Sequence, residues 1–88
     1  MSTTLDDAII DRIAFLQEQI SPDNKAVVNQ TFQIQINILQ KAQLDRLDEL
    51  VAIRRRDLKD CKSVIHSDRI FAELEALEWL QRQVIRHT

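Results

Sequence analysis

The sequence predicts an all-α protein of three helices, over about 4–20, 22–63 and 68–87, and three observations carry that prediction. The 88 residues include no glycine and a single proline, Pro22. Apolar residues recur at helical spacing through almost the whole chain. Cap chemistry appears at two joints, Ser21-Pro22 and Ser67-Asp68. A chain without glycine lacks the residue that most readily supplies a positive φ or a bare backbone. Phosphate-cradling loops, nucleophile elbows and dinucleotide turns all depend on it. Its turns must be loose or built around Asn, Asp and Ser.

The first helix opens on Thr4-x-x-Asp7, a capping box in which hydroxyl and carboxylate satisfy orphan N–H groups. Leu5, Ile9, Ile13, Leu16 and Ile20 then form one narrow apolar stripe, and Asp6, Asp7 and Asp11 lie where the helix dipole favours negative charge. The stripe stops at Ser21-Pro22, an N-cap and first helical residue for the next helix.

From Asp23 to about Lys62 no residue breaks a helix, so the second helix is long and central. Its apolar face changes direction along the way. Val27, Val28, Phe32, Ile34, Ile36, Ile38, Leu39 and Ala42 cover roughly 200° of the circumference. Leu44, Leu47, Val51, Arg54, Leu58, Cys61 and Ile65 follow a heptad spacing rotated by about 120° from it, with Arg54 the one misfit. If Arg54 is buried at this seam position it must meet a carboxylate; the alternative is that its stem packs while the guanidinium reaches water. Between Thr31 and Ile38 polar and apolar residues alternate, which is also a strand pattern, although no second such run exists to pair with.

In the third helix Ile70, Phe71, Leu74, Leu77, Leu80, Val84 and Ile85 form the expected core face. Glutamates lie early and Arg82, Arg86 and His87 late, matching the dipole, and Glu78–Arg82 is a favourable i,i+4 pair. The first and third helices together match the second in length. They therefore fold back on its two halves as antiparallel hairpins, within one domain over 1–88. Two helices per cross-section cannot enclose a core, so the wide face before Ala42 predicts a coiled-coil-like homodimer. The alternative is a compact bundle with the second helix broken near Gln40–Gln43.

Function follows from the same surfaces. Val28, Phe32, Ile36 and Leu39 are the expected self-association face. Trp79 with Ala72 and Ala76 beside it is a second docking stripe, tryptophan being enriched at binding hot spots. The chain reads as a non-enzymatic adaptor, chaperone or regulator that dimerises and binds a further protein. The other reading is a nucleic-acid-associated dimer using the basic cluster Arg54–Lys62. There Arg55, Lys59 and Lys62 align on a helix, while Asp57 and Asp60 interleave and no aromatic accompanies them. Cys61, His66 and His87 fit no zinc spacing, and no cofactor or metal is expected. The acidic N-terminus is unlike a secretory signal, no apolar run approaches the ~20 residues of a membrane span, and a lone cysteine suits a reducing compartment. With a net charge of −2 these features predict a cytoplasmic protein with little attraction for nucleic acid or lipid.

Overall fold

The computed structural model describes residues 4–87, so the first three residues of the acidic N-terminal stretch lie outside them. Four α-helices follow one another: α1 (Leu5–Gln19), α2 (Ala26–Lys41), α3 (Leu47–Asp60) and α4 (Val64–Arg86), with a single 3-10 turn at Leu44–Arg46 before α3. No strand occurs among the described residues, and α2 runs straight through the alternating segment Thr31–Ile38.

The long second helix expected over 22–63 is two helices. Ala42 and Gln43 are extended (ψ 133° and 114°), although neither residue breaks a helix by itself. The cause is tertiary. The apolar stripes before and after this point aim about 120° apart on a continuous helix. Breaking the chain lets Leu39 of α2 and Leu47 and Val51 of α3 reach the same core as Leu77 and Leu80 of α4. The third helix likewise starts at Val64 rather than 68, with Ser63 in the N-cap position, so Ser67-Asp68 lies inside α4. Within α4, the Ser67 hydroxyl donates to the Val64 carbonyl at 2.9 Å.

The joint at Ser21-Pro22 is real but longer than the two-residue link expected, since α1 ends at Gln19 and α2 begins at Ala26. Two asparagines hold it. Asn29, in the first turn of α2, accepts from the Ser21 N–H at 3.2 Å and donates to the Ser21 carbonyl at 2.8 Å. Asn24 donates to the Gln19 carbonyl at 2.7 Å and to Asn29 Oδ1 at 3.0 Å. At the end of α1 the Gln19 carbonyl is met by the Asn24 amide and the Gln17 carbonyl by the Ile20 N–H, and no described residue has a positive φ. At the other end of α1, Thr4 Oγ1 accepts from the Asp7 N–H at 3.1 Å, the hydroxyl half of the expected capping box.

All three other helices pack on α4. Gln81 meets Asp48 and Glu73 meets Arg54, so α3 runs antiparallel to α4, whereas Gln35 meets Glu75 and α2 runs parallel to it. Helix α1 lies back on α2 and also touches α4. Accordingly α4 is buried round much of its circumference, through Ala72, Leu74, Ala76, Leu77 and Leu80. The alanines sit on the α2 side, where a small side chain lets two backbones approach. Phe71 and Ile85, expected in the core, are instead 57% and 75% exposed. Helices α2 and α3 hardly touch each other, and the molecule is a slab of 44 × 34 × 16 Å. No helix among the described residues is long and apolar enough to cross a membrane.

The start of α3 is held by a fork. Arg46 Nε and Nη2 donate to Glu49 Oε2 and Oε1 at 3.1 and 3.0 Å. These hydrogen bonds, then the adjacent charge, hold the Glu49 carboxyl below its ordinary value of 4.5 and raise the Arg46 guanidinium. A lowered folded-state value favours ionised Glu49, so the fork's contribution is present above the ordinary glutamate range and fades as pH falls through the folded-state value. In a carboxyl NMR titration Glu49 should have its midpoint below 4.5, and Arg46→Ala should move it upward. For the core, Leu77→Ala at a site 2% exposed should lower the unfolding free energy by about 2–5 kcal/mol in urea titration. Ile10→Ala, at a site 62% exposed, should change it by no more than about 0.5 kcal/mol.

Candidate protein-binding faces

A four-helix slab this thin has two broad faces, and each carries an apolar hollow. On the first, α1, α2 and α4 surround a cleft of about 230 Å³. Its base is Leu16, Leu39 and Ala76, all buried, and its walls are Phe32 and Trp79. Arg12 and Arg82 stand at the rim. The Arg12 guanidinium lies 5.1 Å from the Phe15 ring centroid and 5.6 Å from that of Trp79, within cation–π range of both. Gln35, only 8% exposed, donates from Nε2 to Glu75 Oε2 at 3.0 Å and so holds that carboxylate toward α2.

The charge pattern at this cleft differs from the sequence expectation. Glu78 is bound by Arg55 of α3 at 3.0 Å rather than by Arg82 one turn on. Neither Arg12 nor Arg82 makes an ion pair among the described residues. Two guanidinium groups therefore border an apolar hollow with their charge available to a ligand.

The second face is the groove that α2 and α3 leave open over α4. At one end Ile38 and Leu50 stand over Leu77, with Lys41 and Arg46 at the edge. At the other, Val27, Ile34, Ile65 and Ile70 form the hollow, and Val27 and Ile65 are 58% and 80% exposed. An ion-pair knot lies between the two ends. Arg54 Nε meets Glu73 Oε2 at 2.9 Å, and Arg69 Nε meets Glu73 Oε1 at 3.6 Å. The Glu73 side chain is 13% exposed and that of Arg54 34%. This is the carboxylate that the seam position of Arg54 requires.

Of the residues singled out by sequence, Phe32, Leu39, Ala76 and Trp79 meet at the first cleft. Ile36 and Ala72 are buried inside the chain, while Val28, in the first turn of α2, is exposed. Trp79 faces the α1–α2 side with the alanines and is only partly exposed. The basic cluster does not form one aligned row. Arg55 is engaged with Glu78, Lys59 is in the last turn of α3, and Lys62 lies beyond its end at Asp60. Sequence reasoning passed over Arg12 and Phe15. The available signal was two apolar residues off the narrow stripe of α1, Ile10 and Phe15, both of them exposed here. Among the described residues no group of His, Cys, Asp and Glu is placed to hold a metal. Cys61 caps α3 and its thiol donates to the Ser63 carbonyl at 3.3 Å.

The knot gives a direct test. Glu73→Gln leaves Arg54 beside a weaker acceptor in a half-buried position and should cost about 2 kcal/mol in denaturant unfolding. Arg54→Met, which keeps a long apolar stem and leaves Glu73 with Arg69, should cost less than that.

No family model matches the chain, and neither a curated protein nor a solved structure matches it.

Proposed function

We propose that this chain is a non-enzymatic interaction protein, an adaptor, chaperone or regulator that binds other protein chains through uncovered apolar helix faces. The observation that carries the reading is the state of α4. Although three helices pack on it, Ile65 in its N-terminal half is 80% exposed on the groove side. Ile65 continues into Val27 and Ile34 across the groove, so these side chains form a patch rather than scattered single exposures. A groove walled by two helices and floored by a third has the form that receives an amphipathic helix, with anchors at i, i+3, i+4 and i+7. Of the cations at its edge, Arg46, Arg54 and Arg69 are tied to Glu49 and Glu73, which leaves Lys41 to meet a carboxylate beside the partner's apolar stripe.

Site-specific photo-crosslinking in the native host tests this. A photoreactive residue in place of Ile34, inside the groove, should give discrete protein adducts, and the same residue in place of Gln40, on the exposed polar side of α2, should not. Equal labelling at both positions, or no protein adduct at Ile34, would overturn the reading.

A further inference from the structure

We propose that the cleft on the first face is filled by Phe71 of a second copy of this chain, in a two-fold dimer whose α4 helices run antiparallel. The inference rests on the reading of the chain as a protein-binding molecule and concerns the face opposite the groove.

The size of the cleft narrows its occupant. Pockets that engulf a drug-sized molecule run to roughly 300–1,000 Å³. At about 230 Å³ this one is suited to a single side chain. Its walls, Phe32 and Trp79, ask for an aromatic or aliphatic group, and its two guanidinium groups ask for a carboxylate close by. An apolar side chain with a carboxylate one helical turn away has both properties.

Such a group stands on the same face of this chain. Phe71 is more than half exposed, and Asp68, which stands at the margin between this face and the end of the groove, precedes it by one turn. By the helical repeat Val64, Asp68, Phe71, Glu75 and Arg82 fall within an arc of about 60°. Glu75 and Arg82 are also part of the cleft. Knob and hole therefore share one helix face, which is the requirement for an isologous contact in which each copy gives what it receives.

One register satisfies both interactions. If two α4 helices cross antiparallel with the axis at Glu75, Phe71 of each copy lies opposite Trp79 of the other, four residues to either side. In that register Asp68 lies opposite Arg82, seven residues to either side. The carboxylate thus arrives at a guanidinium that has no ion pair within its own chain. A parallel pairing would set Asp68 against Asp68 and Arg82 against Arg82, and like charges across an interface are costly. At the two-fold axis the two Glu75 carboxylates approach each other. Gln35 draws each toward its own α2, and Arg12 at the same rim offsets their charge.

Sedimentation equilibrium on the full chain, followed by the emission of its one tryptophan, Trp79, tests the proposal. The wild type should be a reversible dimer, with Trp79 emission shifting to the red on dilution as Phe71 leaves the cleft. Phe71→Ala should weaken association by about thirtyfold, the loss of a hot-spot side chain. Asp68→Arg alone and Arg82→Asp alone should each weaken it by about tenfold or more. The double variant Asp68→Arg/Arg82→Asp should return to within about threefold of wild type, because the swapped charges still meet across the axis. These are exposed positions, and far-ultraviolet circular dichroism checks that every variant keeps its helices. A chain that stays monomeric, a dimer indifferent to Phe71→Ala, or a double variant that fails to recover would each overturn the proposal. So would a monomer whose cleft takes the acidic helix of a different protein. Asp68 also lines the end of the groove near Ile34, so crosslinking from Ile34 is read in the wild type and in Phe71→Ala, which leaves the groove lining intact, and the two readings fail separately.

Discussion

Burial against α4 is the interaction on which everything else in this chain depends. The three other helices have stripes too narrow or too differently aimed to form a core among themselves, and α2 and α3 barely meet. What they share is a helix carrying apolar side chains round more than half its circumference, with Leu77 and Leu80 almost wholly removed from water. In effect α4 is the helix on which the others converge, although it comes last in sequence. The others are organised by where they can reach it, and the last segment to be made supplies the surface that the first three need.

That dependence explains what is legible in the sequence and what is not. Thr4 as a cap, the α1 stripe and the helical rather than extended state of Thr31–Ile38 are legible because they answer to local chemistry and periodicity. The break at Ala42-Gln43 has no local signature. Neither residue resists helix, and the rotated stripe signals only that two directions are wanted. Both directions turn out to serve one helix, and a kink-free rod could not deliver them. The same applies to Trp79 and its alanines. Read on α4 alone they look like an outward stripe, whereas packing of α1 and α2 makes that side an interior one. Phe71 shows the converse, an apolar residue at core spacing that no other helix reaches.

The absence of glycine acts on the joints rather than on the helices. Ending α1 without a left-handed residue leaves carbonyls to be satisfied; Asn24 meets that of Gln19, and Asn29 pairs with both backbone groups of Ser21 in the link. The links before α3 and α4 simply go extended, with no turn that requires positive φ. Extended links hold neighbouring helices apart more than tight turns would. In the open groove between α2 and α3, the ion pair of Arg54 and Glu73 ties α3 to α4 at mid-length, where apolar side chains would otherwise meet. An ion pair there gives less stability than a packed apolar contact, but it fixes which turn of α3 faces which turn of α4.

A thickness of 16 Å is the final constraint. Helix axes in contact stand about 8–10 Å apart, so a slab of that depth leaves α4 covered on its flanks and open on part of each broad face. Apolar groups on those faces have no helix within the chain left to cover them, since all four are already engaged. The two faces differ in shape and in charge. On one, the cations at the edge accompany a long hollow of aliphatic side chains, a shape that matches an incoming helix. On the other, a compact aromatic cleft sits beside an aromatic side chain of the same helix, with a carboxylate and a guanidinium placed symmetrically about Glu75. On the reading proposed above, a surface that carries both members of a contact is suited to its own copy, which would leave the groove behind it open to a different protein.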